Sequence, residues 1–357
     1  MQLKIWNSYA IKETLKVFIL FILCFYSLYV LIDFSLHMHA FQQNRATISA
    51  LIAYYSYSFS YRAEILIPFA LLLASIKVLS TMNANNEIVA LLVAGVPLKK
   101  VMQPFLLLAI AFCALLYFNL EFFLPSHAIK LEQFEETYLH GVTNRAPTKV
   151  HVFPLPDDST LVYQKYDFAQ EAFFDAYWIR PNKEIWRAKY LFPHTEKPIG
   201  LFVDRLVHNS AGQIERTESL AEHLFSDLHI DEKLFIASVI PAEYQPISQL
   251  WHAYQNTSDQ LNDREIQLVT TLFKKITLPL LALLVVVCSF PFCLNFERNK
   301  HPFALYSLAI FSLVALYTLL SATTILAENR IVHPAIAMWA PLFLCTSCFG
   351  WKYLKLR

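Results

Sequence analysis

The sequence predicts an α-helical membrane protein with six transmembrane helices and an inserted domain that is all β and jelly-roll-like. Of the 357 residues, 56% are hydrophobic and 16% are charged, whereas an ordinary soluble domain has about 25% charged residues. The apolar residues are concentrated in stretches close to the length of about 20 residues that crosses a bilayer as a helix. A polar segment with short β-rich runs separates the third stretch from the fourth.

Six stretches are candidates for the transmembrane helices. They cover 17–32, 51–79, 101–120, 276–296, 303–327 and 334–351. The second is the weakest, because Arg62, Glu64 and Lys77 interrupt it. A charge at mid-membrane costs about 2.5 to 3.5 kcal/mol even on a lenient scale, so these side chains are expected near the two interfaces.

The basic residues beside the spans predict the orientation, since Lys and Arg are retained on the cytoplasmic side. With both termini inside, the cytoplasmic set is Lys4, Lys12, Lys16, Lys99, Lys100, Arg298, Lys300, Lys352, Lys355 and Arg357. The smaller outer set is Arg45, Arg62, Lys274, Lys275 and Arg330. We therefore expect both termini in the cytoplasm, which requires an even number of spans.

The chain is expected to divide into residues 1–125, 126–262 and 263–357. The outer two parts carry three spans each, and a short cytoplasmic helix is predicted at about 84–96. The middle part is acidic, lacks cysteine and contains short runs typical of strands at 150–153, 160–166, 172–179, 184–192, 199–207 and 233–240. Strands this short predict a sandwich or jelly roll, and an exported domain without disulfides suits a bacterial periplasm.

The sequence lacks the glycine-rich loop that cradles nucleotide phosphates. Only five glycines are present, and none is followed by Lys and then Ser or Thr. The chain is therefore not expected to hydrolyse ATP by this route, and we predict neither a cofactor nor a nucleic-acid partner.

The loop between the second and third spans predicts a short capped helix. Asn85 or Asn86 can cap its start, Glu87 stands in the first turn, and Gly95 followed by Pro97 ends it. A short helix along the membrane face with one carboxylate at its start has the form of a coupling helix that enters a groove on a cytoplasmic motor. Taken alone, the pattern also fits an ordinary capped surface helix.

The sequence resembles the lipopolysaccharide-export permeases LptF and LptG, also called the YjgP/YjgQ family, over nearly the whole chain. The matching segments are Lys12-Glu13-Thr14-Leu15, Ile67-Pro68, Asn86-Glu87-Ile88, Ala94-Gly95 and Lys274-Lys275-Ile276-Thr277-Leu278-Pro279. The loop is the most specific match, while the external domain matches in size and pattern more than in letters.

This resemblance implies a non-catalytic permease subunit of an ABC-type exporter in the inner membrane of a Gram-negative bacterium. The implied partners are lipopolysaccharide, a paralogous LptF/LptG subunit, a dimeric LptB-like ATPase, and an LptC-like protein or periplasmic bridge. The implied coupling residues are Glu87, Ile88, Leu91, Ala94 and Gly95. The external domain would join its periplasmic partner edge to edge by strand addition.

The end of the first span departs from the family pattern. Family members often place a basic residue there, where lipid A phosphates could be met, whereas this chain has Asp33 and no basic residue from Phe25 to Ile32. The remaining candidates for phosphate contacts near the same surface are Arg62, Lys274 and Lys275.

Two other classes of function fit the composition less well. A membrane-anchored receptor or sensor would bind a ligand in the external domain, but it would usually carry a cytoplasmic signalling domain, and the internal segment 80–100 is too short for one. A membrane enzyme would need several polar groups converging at one depth, and the spans show only scattered Ser, Thr and Asn.

Overall fold

The structure is a computed structural model that describes two compact units. Its described residues are 5–139, 151–193, 198–208, 214–228, 241–255, 263–293 and 302–355, apart from the turn positions 156, 158, 168, 169, 171, 182 and 183. We call Met1–Leu131 with Ala242–Arg357 the helical unit, and Glu132–Pro241 the sheet unit.

Ten α-helices occur among the described residues. They are α1 (Ile5–Gln43), α2 (Ile48–Ala84), α3 (Glu87–Val93), α4 (Leu98–Phe118), α5 (Leu124–Phe134), α6 (Ile247–Gln255), α7 (Asp263–Thr277), α8 (Leu281–Cys293), α9 (Pro302–Glu328) and α10 (Pro334–Lys355). A π-helical turn, Asn119–Phe123, joins α4 to α5, and a second, Glu135–Leu139, follows α5. The 3-10 turns are Ala242–Tyr244 and Leu278–Leu280.

Five helical stretches of the described chain are long and apolar enough to cross a membrane. They are Trp6–Gln43, Ile48–Ala84, Leu98–Leu139, Glu265–Pro291 and Phe303–Glu328. The predicted membrane protein is therefore confirmed. The sixth predicted span falls on α10, whose described apolar part, Pro334–Ser347, is shorter than a crossing. The count of six stays a prediction.

The first two helices are much longer than the spans predicted for them. With 39 and 37 residues, α1 and α2 are about 58 and 56 Å long, against a hydrocarbon core of about 30 Å. The two helices pack against each other, and Thr47 caps the start of α2 by accepting a 3.3 Å hydrogen bond from the Ala50 amide. Part of this helical hairpin must therefore lie outside the hydrocarbon layer.

The core of the helical unit is built around α2. In its most apolar window 67% of the residues are buried within the chain, against 6% in α1. Ala70, Ala74 and Ser75 have no exposed surface, and such small residues allow membrane helices to approach closely. Phe105 of α4 and Phe290 of α8 pack edge to face in the same core. Among the five candidate spans, α2, which leads into α3, is therefore the one with the largest share of buried residues.

The sheet unit confirms the predicted β character. Its strands are β1 (His151–Pro154), β2 (Thr160–Tyr163), β3 (Lys165–Asp167), β4 (Ala172–Ile179), β5 (Ile185–Phe192), β6 (Ile199–His208) and β7 (Ile214–Leu224). They form one antiparallel sheet in the order β1-β2-β4-β5-β6-β7, with β3 also paired to β4. The predicted strand at 233–240 lies outside the described residues, so jelly-roll-like closure stays a prediction.

One face of the sheet carries an aromatic core that includes Phe173, Trp178 and Phe225. The indole of Trp178 donates a 2.9 Å hydrogen bond to the Ser159 hydroxyl, which donates in turn to Asp157 at 2.6 Å. This second bond stabilises the carboxylate and lowers the pKa of Asp157 below its usual value. The N–H group of the buried indole therefore has a hydrogen-bond partner.

The units divide inside the limits predicted for the middle domain. The sheet unit runs from Glu132 to Pro241, whereas the sequence predicts a domain over 126–262. The difference arises because α5 begins within the helical unit and because α6, after the sheet unit, packs on α7.

Candidate functional site

The short helix α3 connects α2 to α4 and is anchored in the helical core. Ile88 is fully buried in the cluster that contains Leu98 and Met102, and Leu91 and Leu92 pack against that cluster. These side chains fix one face of α3 to the two helices it joins. A displacement of α3 would therefore be transmitted to α2 and α4.

Both ends of α3 are closed by local geometry. At its start Asn86 adopts a left-handed conformation with φ of 59° and makes no side-chain cap, while Asn85 Nδ2 donates a 3.1 Å hydrogen bond to Glu87 Oε1. At its end Gly95 has φ of 80°, and the amides of Gly95 and Val96 donate to the carbonyls of Leu92 and Leu91, both at 3.0 Å. This pair of bonds is a Schellman motif, which needs a left-handed residue at the glycine position.

The outward face of α3 is small and apolar with an acid at its edge. Val89, Ala90, Val93 and Ala94 are exposed, Val93 to 83%, and Glu87 is half-buried beside them. Of the five predicted coupling residues, Glu87, Ala94 and Gly95 can meet a partner, whereas Ile88 and Leu91 face the core. Val89 and Val93, about 100° and 140° around the helix from Ile88, also lie on the exposed side and are not among the predicted residues.

The predicted phosphate contact Lys275 lies inside the protein. Its side chain is on α7, the residue is only 4% exposed, and Nζ donates a hydrogen bond to the backbone oxygen of Gln245. The nearby carboxylates are those of Glu64 and Glu121, which are half-buried, and of Glu243, which is exposed. We call Glu64, Glu121, Glu243, Lys274 and Lys275 the polar cluster.

Lys274 and Glu64 share a small, largely apolar cavity that is lined by residues of α2, α7, α9 and α10. The cavity has a volume of about 110 Å³, and its lining includes Thr277, Tyr317 and Ser321. The hydroxyl of Tyr317 donates a 3.1 Å hydrogen bond to the Glu64 carbonyl. This space fits a few water molecules and is too small for a lipid.

Arg62 is exposed on α2 and faces α1 instead. Its guanidinium carbon lies 4.0 Å from the centre of the Tyr29 ring, a cation–π contact. The structure thus places Arg62 against α1 and the two lysines inside the bundle, so the three predicted phosphate contacts do not converge on one surface.

The chain matches the family model described as lipopolysaccharide export system permease LptF/LptG over residues 8–355. This chain belongs to the LptF/LptG family. No curated protein matches it. The family resemblance of the sequence is confirmed, and the chain is accordingly a multi-pass permease component of lipopolysaccharide export.

In this LptF/LptG protein, Asp33 is enclosed by tyrosines. The hydroxyls of Tyr29, Tyr54 and Tyr55 donate to its carboxylate at 3.4, 3.5 and 3.3 Å, and the ring of His37 bonds its backbone oxygen at 3.0 Å. Asp33 therefore joins α1 to α2. A carboxylate repels phosphate, so this position does not favour a phosphate contact.

A second group of hydrogen bonds in the LptF/LptG protein surrounds the π-helical turn after α4. Asn119 Nδ2 donates to the Ser60 carbonyl at 2.8 Å, and Glu121 accepts from the Ser248 hydroxyl at 2.5 Å and from its amide at 3.2 Å. The turn is thereby bonded to α2 on one side and to α6 on the other. Sequence reasoning missed it, because a π turn has no simple residue signature.

Proposed function

We propose that this chain is one half of a lipopolysaccharide exporter in the inner membrane of a Gram-negative bacterium. It would pair with a paralogous LptF/LptG subunit and be driven by a separate dimeric LptB-like ATPase. Lipopolysaccharide extracted from the membrane would pass to an LptC-like protein or periplasmic bridge. Both termini would lie in the cytoplasm and the sheet unit in the periplasm.

The observation that carries this proposal is the construction of α3. One side of α3 is fixed in the core by Ile88, while Val89 and Val93 on the remaining surface are uncovered and the half-buried Glu87 carboxylate lies at its edge. Exposed apolar side chains rimmed by a charge are typical of a protein-binding surface. Family membership gives the partner class, since a permease needs an energy source and this chain has no nucleotide-binding loop.

The mechanism that follows is a rigid-body movement. When the ATPase closes on nucleotide, its groove displaces α3, and the buried contacts of Ile88 transmit the displacement to α2 and α4. Packed helices shift as units because their cores do not deform continuously. Such a shift opens and collapses a lipid-accessible cavity, and the chain itself needs no catalytic residue.

Of the three residues proposed to contact lipid A phosphates, Arg62 has the best support. It is exposed on α2, whereas Lys275 is buried and bonded to Gln245. A guanidinium can leave a cation–π contact for a bidentate bond to phosphate, which is the stronger interaction.

The experiment that tests the coupling role is Glu87→Ala. We expect the variant to fold at normal yield and to lose ATPase during co-purification, with affinity reduced about thirtyfold, because loss of one charge from a desolvated pair costs about 2 kcal/mol. The measurement is the ratio of ATPase to permease after affinity purification in mild detergent.

Glu328→Ala is the matched control, because Glu328 is an exposed acid that ends α9, far along the chain from α3. It should retain the ATPase fully. Normal yield of Glu87→Ala with an undiminished ATPase ratio would remove the proposed coupling contact.

A further inference from the structure

The helix α6, directly after the sheet unit, is amphipathic. At 100° per residue, Ile247, Leu250, Trp251 and Tyr254 fall within about 100° of arc, and the polar side chains of Ser248, Gln249, His252 and Gln255 occupy the remainder. Leu250 is buried against the helical unit, but Trp251 and Tyr254 on the same arc are 45% and 39% exposed. The apolar face is therefore only half covered by the protein.

Three contacts hold α6 against the helices that cross the membrane. Glu121 of the π-helical turn receives both hydrogen bonds of Ser248, and Lys275 of α7 donates to Gln245 just before α6. At the other end of α6, the ring of Tyr254 packs edge to face on Phe273 of α7, with the ring centres 6.1 Å apart. Its position along the membrane axis is therefore fixed by residues whose depth can be estimated.

That depth corresponds to the membrane surface opposite α3. Lys275 and Glu64 line the same small cavity, and the stretch of α2 from Glu64 to Ala84, where α3 follows, rises about 30 Å at 1.5 Å per residue. This is the thickness of the hydrocarbon core, about 30 Å. A pair of exposed aromatic residues at this level lies where Trp and Tyr of membrane proteins concentrate.

We propose that α6 lies in the headgroup layer of the bilayer, with Trp251 and Tyr254 inserted between lipids. The occupant of the uncovered face is lipid, because Tyr254 packs on Phe273 two residues before Lys275, where α7 leads into the apolar stretch that crosses the membrane. The π-helical turn bonded to α6 also exposes Phe122 and Phe123, which continues the aromatic surface at the same level. On the polar side of α6, Gln249 and His252 face water and phosphate, while Ser248 is bonded to Glu121.

The inference goes beyond the proposed export function, since it requires only that the chain spans a membrane. Its consequence is that the segment re-entering the helical unit after the sheet unit is held by the lipid surface as well as by protein contacts. Lipid composition in that leaflet would then act directly on α6.

Tryptophan quenching in lipid nanodiscs tests the proposal with the full chain. Because the chain has six tryptophans, the fluorescence of Trp251 is obtained as the difference between the emission of the unsubstituted protein and that of Trp251→Phe. We expect phosphatidylcholine brominated high on its acyl chains to quench this fluorescence about twofold more than lipid brominated near the chain ends, because interfacial helices lie only about 5 to 10 Å deep. Aqueous iodide should quench it weakly. Trp178→Phe is the control, because Trp178 is buried in the sheet unit and no lipid quencher should reach it.

Two further variants, made in the Trp251→Phe background, place a tryptophan probe on either side of α6. Tyr254→Trp places the probe on the apolar arc and should be quenched by the upper-chain bromines, whereas Gln249→Trp places it on the polar side and should be quenched by iodide. Iodide quenching of both probes would overturn the proposal, as would strongest quenching by the chain-end bromines. The proposal would also be overturned if lipid quenching disappeared when the protein is purified together with its native partner proteins, since a protein would then cover this face of α6.

Discussion

The two ends of the α2 segment between Glu64 and Ala84 are built in opposite ways. At Ala84, α3 keeps two valines exposed and its carboxylate half-buried on a rigid support. At Glu64, which is half-buried, the neighbouring Lys275 is buried and bonded to the Gln245 carbonyl. The difference indicates that one end is made to engage another molecule and the other to hold this molecule together.

Physical chemistry separates these roles. A buried charge is tolerated only when its partners satisfy it, so a cluster such as that around Lys275 resists rearrangement. An exposed apolar face with a charged edge has the opposite property, since covering it with a partner releases water and pairs the charge. A displacement of α3 therefore acts on α2, whose other end is held in place by the contacts around Lys275.

The largest effect that can test this comparison is expected from Lys275→Met. The substitution removes the buried ammonium group from the polar cluster and leaves the Gln245 carbonyl without its donor. Loss of a buried hydrogen bond to a charged group costs about 1.5 to 3 kcal/mol. Thermal unfolding in detergent should show a midpoint lower by about 5 °C, given about 2 to 4 °C per kcal/mol for a unit the size of the helical unit.

Lys99→Met provides the matched control, because Lys99 is an exposed lysine in the first turn of α4, next to α3. Its midpoint should hardly change. If the two lysine variants unfold at the same temperature, the contacts of Lys275 do not stabilise the Glu64 end of the α2 segment, and the comparison fails.

An intermediate effect is expected from Gly95→Ala at the opposite end. Because Gly95 has φ of 80°, an alanine there costs about 1 to 2 kcal/mol of backbone strain, which tilts or unwinds the last turn of α3. We expect a small loss of thermal stability and a clear loss of ATPase in co-purification.

Gly95→Asn separates strain from lost contact area, since asparagine adopts the left-handed conformation far more readily than alanine. It should retain more ATPase than the alanine variant. Equal binding by both variants would show that the left-handed cap does not position α3.

The smallest effect is expected from Glu121→Gln. The amide can still accept from Ser248, but it loses the charge that makes such bonds about twice as strong. Hydrogen exchange in peptides covering α6 should accelerate up to about tenfold, equivalent to about 1.4 kcal/mol. Glu328→Gln should leave these peptides unchanged, and unaltered exchange in both variants would mean that the π-helical turn does not hold α6.

The short helix α3 was predictable because Glu87 in its first turn and Gly95 at its end lie within one short segment. The predicted side-chain cap at Asn85 or Asn86 was wrong, because Asn86 makes no such bond and Asn85 donates to Glu87 instead. The β character of the sheet unit was predictable for the same reason, since alternation and turn residues act over a few positions.

The polar cluster could not be predicted in this way. The residues around Lys275 come from positions 64, 121, 243 and 245, and nothing in the sequence near Lys275 shows that they meet. A lysine beside an apolar run predicts an interface, but not whether the side chain faces lipid or the bundle. The length of α1 was underestimated for a related reason, because Asp33 is satisfied by tyrosine hydroxyls and the helix continues past it.

The low burial of α1 has a consequence for how this sequence can vary. A helix that gives so little of its surface to its own chain is selected mainly for solubility in acyl chains and for whatever docks beside it. Exchanges among Leu, Ile, Phe and Val along its outward side should not affect folding. The sequence of α1 can therefore diverge quickly, while that of α2 should change little. Rapid divergence in α1 with constancy in α2 would be the evolutionary trace of this division of labour within one helical hairpin.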